Sequence, residues 1–380
     1  MSAYDFDTLV DRTGTSSAKW TYYGPDVLPF WVADMDFRAP PGLLAAVADR
    51  LDHGVLGYTM TPPELEGAFI DWLERRHGWK VVEDWLVWLP GVVPGLNLAG
   101  RAVGGGSLLI PAPVYFPFLA VPGHVDKAGI VVDLERTGGP GRERWVMDMD
   151  RFEANVRRDT GGFLLCNPQN PTGRVYGRDE LEALVEFCLR HGLTLVSDEI
   201  HCDLILDPDV SHTCVACLAP ELPTITLFGP NKSYNIPGLG VGVAVIPDAD
   251  LRRAFLRARA GLIGPLSPLA YVAAQWAYSE RTDWLPSLNG YLRANRDRLQ
   301  EIVAGLSGVE MTHVEGTYLG WLDVRELDLD DPAGHFEGHG LGFSDGERFG
   351  GSGFQRFNFG CPRTMLEEGL ARFVASVQNV

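Results

Sequence analysis

The chain has 380 residues and a formal charge of −18, with 50 acidic against 32 basic side chains, 46% hydrophobic residues and 22% charged ones. That length and composition support a large folded core and exclude wholesale disorder, while the acidic balance leaves no basic footprint for nucleic acid. No apolar run is long enough to cross a bilayer and the first five residues do not open a signal peptide, so the reading is a cytoplasmic protein with no membrane partner.

Residues 1–40 read as an arm. It ends in Phe30-Trp31-Val32-Ala33-Asp34-Met35-Asp36-Phe37, which is too apolar to stand in solvent. A helix is expected from about Pro41 to Leu51, with proline tolerated in its first turn. Gly57-Tyr58-Thr59 opens a polar loop, and a second helix over 64–76 closes at His77-Gly78. From Trp85 strands and helices alternate. The strand 86–89 meets a Pro-Gly turn and then a helix running to Val103, so the free backbone N–H groups at that helix N-terminus offer a seat for a phosphate. Gly104-Gly105-Gly106-Ser107 lacks the Gly-Lys-Ser/Thr ending of a phosphate loop and reads as a connector.

The strand 107–110 leads into a proline-rich aromatic turn over 111–118 that carries Tyr115, and 135–145 reads as a surface loop. The strand 162–166 enters the rigid turn Asn167-Pro168-Gln169-Asn170-Pro171-Thr172-Gly173-Arg174. Asp179 is expected to cap the next helix, with Glu182 at capping-box distance and Gly192 at its end. Further apolar runs end at Asp198, before Lys232, and at Ile246. This alternation predicts an α/β fold with a mostly parallel sheet covered on both faces. Beyond a boundary near 260–270 the spacing predicts helices over 267–281 and 284–305, a strand at 317–322, and a long glycine-rich loop at 334–353. The run 354–359 and a helix over 364–377 close the chain. The six cysteines, including the lone pair Cys214 and Cys217, read as buried thiols rather than as a disulfide framework or a metal site.

Lys232 stands alone as a charge between Glu221 and Asp248, in apolar, glycine-rich surroundings just past a strand. Asp198 leaves another strand the same way, and in an open α/β sheet such ends converge on the ligand crevice. Tyr115 and Asn170 belong to the same edge. Taken singly, each has a structural reading: packing for Tyr115, a turn for Asn170, a helix cap for Asp198, solvent for Lys232. Taken together, a lysine and an aspartate at one edge are what a pyridoxal phosphate (PLP) enzyme needs.

At these residues the chain resembles the fold-type I PLP enzymes, and within them the cystathionine β-lyase-like (MalY/PatB) group of C–S lyases. The resemblance runs nearly end to end. It rests on Phe6-Asp7-Thr8 with Arg12, Thr15, Ser17, Lys19 and Trp20, on the Trp31–Phe37 run, and on Gly57-Tyr58-Thr59 and Pro113-Val114-Tyr115. It continues through the Asn167–Arg174 turn, Ser197-Asp198-Glu199-Ile200-His201, the Lys232 stretch, and Arg356-Phe357-Asn358-Phe359-Gly360-Cys361-Pro362-Arg363. The resemblance implies a large domain over 41–265 with a seven-stranded sheet, a smaller C-terminal α+β domain over 266–380, and an arm over 1–40 that packs on the small domain.

It also implies roles. Lys232 should hold PLP as a Schiff base and then take the substrate Cα proton. Asp198 should keep the pyridine nitrogen protonated, Asn170 should bond the phenolic oxygen with His201 nearby, and Tyr115 should stack on the ring. Val92 and Val93 should bind the phosphate, with Tyr58 reaching in from a partner subunit of a homodimer. Arg356 should clamp the substrate carboxylate, and Ala33 should close over the substrate through its backbone. Many aminotransferases of this fold carry an arginine where this chain has Gly240, and the lyase-like group lacks it too. Asn231 stands where serine is frequent, and Thr21 where an acidic residue is expected. The expected reaction is β-elimination from cystathionine or another cysteine S-conjugate. Transamination, processing of a bulky S-conjugate by C–S cleavage or decarboxylation, and a regulatory role through partner proteins are the alternatives.

Overall fold

The computed structural model describes residues 4–139 and 143–380. Its larger sheet contains β1 (Leu86–Leu89), β2 (Ser107–Ala112), β3 (Ala128–Asp133), β4 (Thr160–Cys166), β5 (Thr194–Asp198), β6 (Thr224–Phe228) and β7 (Gly242–Val245). Their spatial order is β1-β7-β6-β5-β4-β2-β3. Strands β2 to β6 pair in parallel, and only β7 runs against both its neighbours. Every residue of β2, β6 and β7 is buried, as expected for strands covered on both faces.

Side chains alternate between those faces. Ile110, Leu164 and Val196 join Val92, Leu96 and Ala99 of α3 and Leu251 and Phe255 of α6 on one side. Their neighbours Leu109, Phe163, Leu165 and Leu195 meet Leu181, Leu184 and Phe187 of α5 on the other. In chain order the principal helices are α1 (Pro41–Asp52), α2 (Pro63–His77), α3 (Val92–Ala102), α4 (Phe116–His124), α5 (Arg178–His191), α6 (Ala249–Arg259), α7 (Pro268–Ser279), α8 (Trp284–Ala304) and α9 (Arg363–Gln378).

A second, wholly antiparallel sheet is made of β8 (Glu310–Met311), β9 (Leu319–Asp323), β10 (Ser344–Asp345) and β11 (Phe354–Asn358), in the order β8-β9-β11-β10. Its core takes in the N-terminal arm: Phe6, Phe30, Ala33, Met35 and Phe37 are buried with Leu319, Phe343, Phe357 and Phe373.

Several local expectations are corrected. The 111–118 turn is in fact the end of β2 followed by α4, with Tyr115 as the N-cap of α4 and Pro117 in its first turn. The cap of α5 is Gly177, whose N–H donates to Glu180 at 2.8 Å, whereas Glu182 pairs with Arg178. The 135–145 stretch holds a strand pair, Glu135–Thr137 with Arg144–Val146; residues 140–142 of that expectation lie outside the described residues.

The 334–353 segment is not a loop. It contains the end of a helix (Pro332–Gly338), the strand Leu341–Gly342 paired with Leu28–Pro29, β10, and a 3₁₀ turn (Gly346–Phe349). Its glycines serve the bends, Gly340, Gly350 and Gly353 all having positive φ, while Phe336 before them and Leu341, Phe343 and Phe349 between them are buried.

Candidate active site

The carboxyl ends of β2, β4, β5 and β6 open onto a cavity of about 220 Å³. Ala33, Val92, Val93, Tyr115, Asn170, Asp198, His201 and Lys232 all line it. Arg356 stands against that wall, its Nη1 donating to Asn170 Oδ1 at 2.9 Å. Tyr58 is the exception. It is fully exposed and outside the cavity, in a stretch where Val55, Leu56 and Met60 are exposed as well.

Lys232 lies in a tight turn after β6, where Tyr234 N–H donates to Pro230 O and Ile236 N–H to Asn231 O, both at 3.0 Å. Its Nζ donates to Ala33 O at 2.6 Å, and Tyr318 donates to the same carbonyl at 2.8 Å. Burial, aided by the positive charge of Arg356, pushes the lysine down to about 8, with Asp34 and Asp198 opposing. Near neutral pH a useful fraction of this amine is therefore an uncharged nucleophile.

Asp198 ends β5 and accepts Ile200 N–H at 3.1 Å. Burial pushes its carboxyl up to about 7 against the pull of that N–H and of Lys232. A cationic N–H placed against it would restore the carboxylate. Burial, then Lys232 and Arg356, hold His201 well below the usual imidazole range, so its ring is neutral; its Nδ1 is buried without a partner. Asn231 donates to Val241 O at 2.6 Å and leaves its Oδ1 buried and unpaired.

Arg356 comes from β11. Its Nη2 donates to Trp31 O at 2.7 Å and Ser344 Oγ at 3.1 Å, and its guanidinium lies 4.6 Å from the Phe349 ring centroid. Burial pushes it down to about 10, which still leaves it charged at neutral pH. Val92 and Val93 open α3 behind Gly91, whose φ of 136° lies where a side chain is strained. The first N–H groups of that helix are the free donors of the site. At Gly240 φ is +60°, and a Cβ there would meet Pro90 O at 3.3 Å, so an arginine at this position would be strained.

The arm that delivers Ala33 is fastened from several sides. Lys19 and Asp36 form a fully buried pair at 2.6 Å, and Arg12 bridges Asp36 and Asp34 at 2.9 and 2.7 Å. Asn235 exchanges hydrogen bonds with the Met35 backbone at 2.9 and 2.8 Å, and Asn358 donates to Val32 O and Asp34 O. Sequence reasoning did not assign roles to Tyr318, Asn235, Ser344 or Asn358, which act here through backbone carbonyls. Of these, only the positive φ of Asn235 had a local signal, since asparagine tolerates that conformation.

Residues 25–373 match the sequence profile of the family described as aminotransferase class I and II. The chain belongs to this family. The cystathionine beta-lyase PatB of Bacillus subtilis is 37% identical, across 98% of this chain and 100% of that protein. The crystal structure of OvoB superposes with a TM-score of 0.95 at 44% identity, covering 99% of this chain and all of the other. The structure of cystalysin from Treponema denticola, which contains a pyridoxal 5′-phosphate cofactor, gives 0.92 at 31% identity over 99% of each chain. With these the chain shares the fold-type I architecture.

Proposed function

We propose that the protein is a PLP-dependent C–S β-lyase. It removes the Cα proton of a cysteine S-conjugate, cleaves the Cβ–S bond, and with water releases a thiol, pyruvate and ammonia. The observation that carries this reading is the pairing, in one cavity, of a lysine held near 8 with a buried carboxyl held near 7. The likeness to PatB over the full chain supports the lyase chemistry.

The residues present fit the cofactor. A phosphate matches the free N–H groups of Val92 and Val93, a pyridinium N–H matches Asp198, and His201 Nδ1 and Asn231 Oδ1 are buried polar atoms still wanting partners. When bound, PLP supplies an electron sink that acidifies the Cα–H of an amino acid. Lys232 would hold it through its amine, and that amine, unprotonated, would be the group placed to accept the Cα proton. Asp198 would keep the ring nitrogen protonated, Asn170 and His201 would bond the ring's polar groups, and Tyr115 would stack on the ring. Arg356 grips the substrate carboxylate with its two-pronged guanidinium, and the Ala33 backbone covers the substrate.

Tyr58 reaches the cavity of a second copy, which accounts for its full exposure with Leu56 and Met60 beside it. The working unit in this reading is a homodimer, and a fully active monomer in sedimentation would refute it. Incubation with S-ethylcysteine should give free thiol and pyruvate without added keto acid. Product that depends on a keto acid would establish transamination instead, the reading that the family's other activity favours. Lys232→Ala should also fail to develop the visible colour that borohydride bleaches.

A further inference from the structure

The carbonyl of Ala33 carries two donors at once. Lys232 Nζ donates to it at 2.6 Å and the Tyr318 hydroxyl at 2.8 Å. The lysine follows β6 of the larger sheet and Tyr318 stands just before β9 of the smaller one, so both sheets meet on this one oxygen of the arm. Tyr318 is almost wholly buried, its ring edge-on to His201 with 5.9 Å between centroids. A buried phenol needs an acceptor, and that need alone would explain one hydrogen bond. It does not explain the choice of an oxygen already engaged by the lysine amine, nor the backbone that aims the ring there.

That backbone is strained. Thr317, fully buried, has a φ of 75°, in the left-handed region that a β-branched side chain occupies only at a cost. The turn is pinned on both sides of the tyrosine: Thr317 N–H donates to Leu204 O at 2.8 Å, Leu319 N–H to Thr317 Oγ1 at 3.2 Å, and Phe359 N–H to Tyr318 O at 2.9 Å. The charges that face the lysine are fixed as well. Asp34 of the arm and Asp198 at the end of β5 favour its ammonium form, Arg356 of β11 opposes it, and the nearby rings of His201 and Tyr115 are held neutral by burial. Burial, with Asp34 adding to it, also pushes the Tyr318 phenol well up, so this hydroxyl remains a donor wherever the lysine titrates.

An acceptor that bonds an ammonium more strongly than an amine holds the proton on the lysine. Two donors on one oxygen draw on the same electron density, so each weakens the bond the other makes. We propose that Tyr318 is a positioning residue for Lys232: its hydroxyl fixes the Ala33 carbonyl within reach of the amine and takes part of that carbonyl's accepting strength, so that the amine gives up its proton more readily. Tyr318 touches neither the lysine nor the cavity and acts only through Ala33 O. The inference deepens the PLP reading, on which the use of the amine as nucleophile and base rests, but the sharing of the carbonyl does not depend on it.

Lys232 is titrated in the full-length chain by competitive acetylation with acetic anhydride, read by mass spectrometry, and PLP capture is followed over the same pH range. Tyr318→Phe, which keeps the ring and removes the donor, should raise both midpoints by about 0.4 pH unit, roughly a quarter of the worth of one hydrogen bond to a charged group. The acid limb of kcat on S-ethylcysteine should move the same way in the holoenzyme. Asn358→Ser is the control for a loosened arm, since Asn358 donates to Val32 O and Asp34 O on either side of Ala33. It should leave the acetylation midpoint unchanged or lower it. A Tyr318→Phe midpoint that stays put or falls would make the tyrosine a support for the arm and overturn the proposal. Where Tyr318→Phe does not fold, Tyr318→3-fluorotyrosine, a stronger donor of nearly the same shape, should lower the midpoint, and an unchanged or raised one sinks the idea. If PLP is not captured at any pH, the cofactor reading fails, and the acetylation midpoints still decide the role of Tyr318.

Discussion

Asp198→Asn should stabilise the cofactor-free protein while destroying the enzyme. Burial raises this carboxyl from 3.8 to about 7. At 1.36 kcal/mol per unit, holding it ionised above pH 7 costs about 4 kcal/mol of folding free energy. Because the folded value is the higher one, the group's stability contribution is complete below 3.8 and is lost as pH climbs to about 7. Asparagine keeps an acceptor for Ile200 N–H, now 3.1 Å away, and carries no charge. For 380 residues unfolding as a unit, the entropy of unfolding is about 0.8 kcal/mol/K, so the variant's melting temperature should rise by about 5 °C at pH 8 and hardly at all at pH 4. Scanning calorimetry of the apo forms at the two pH values is the assay. No rise at pH 8, or an equal rise at both, would refute the argument. Loss of PLP-dependent turnover in the same variant would show that the cost is retained for function.

The rate at which the apoenzyme captures PLP, followed by visible absorbance, should climb through pH of about 8 as the Lys232 amine loses its proton, and Arg356→Gln should move that midpoint upward. His77, at the end of α2, is pushed down to about 4 by burial and by His212, and both its ring nitrogens are unpaired. Its folded value is depressed, so stability is present above 6.5 and up to about 3 kcal/mol is lost as pH falls to about 4. His77→Phe should flatten the acid limb of melting temperature against pH; an unchanged limb counts against this. Glu315 is buried and accepts from Arg174 Nη1 at 2.7 Å and Val175 N–H at 2.9 Å. Glu315→Gln should cost about 3 kcal/mol, seen as a fall of about 4 °C in melting temperature, and a shift under 1 °C would show the pair to be dispensable.

The parts of this molecule that were legible in the sequence are those with a strong local period. The stripe Leu181, Leu184, Val185, Cys188 located α5, and the apolar runs before Asp198 and Lys232 located β5 and β6. The cavity residues followed because strand ends in such a sheet converge, and the family motifs supplied Arg356 and Ala33. The α4 helix was hidden by Pro117 and Pro122, and β3 by Gly129 and by an edge position that leaves Ala128, Gly129, Val131 and Asp133 exposed. The 334–353 segment misled because its glycines signal bends, and bends between very short strands look like one loop. Tyr318 and Asn235 had no legible role, because they act on backbone carbonyls that only the folded arm brings to them.

The reversed strand β7 has a consequence for how the enzyme can diversify. Val243 pairs with Phe228 and Gly242 with Leu89, so the segment bearing Lys232 is anchored at both feet and lies beside the turn that opens α3. Lys232, Asp198 and the start of α3 therefore share one fixed plinth. The Ala33 carbonyl and the Arg356 guanidinium come instead from the arm and the smaller sheet, held there by Trp31 O and Ser344 Oγ, and in the proposed reading they are the groups that meet the amino acid. Selection can reshape that overhanging half residue by residue without loosening the cofactor's bed, which is how one family can house both lyases and aminotransferases.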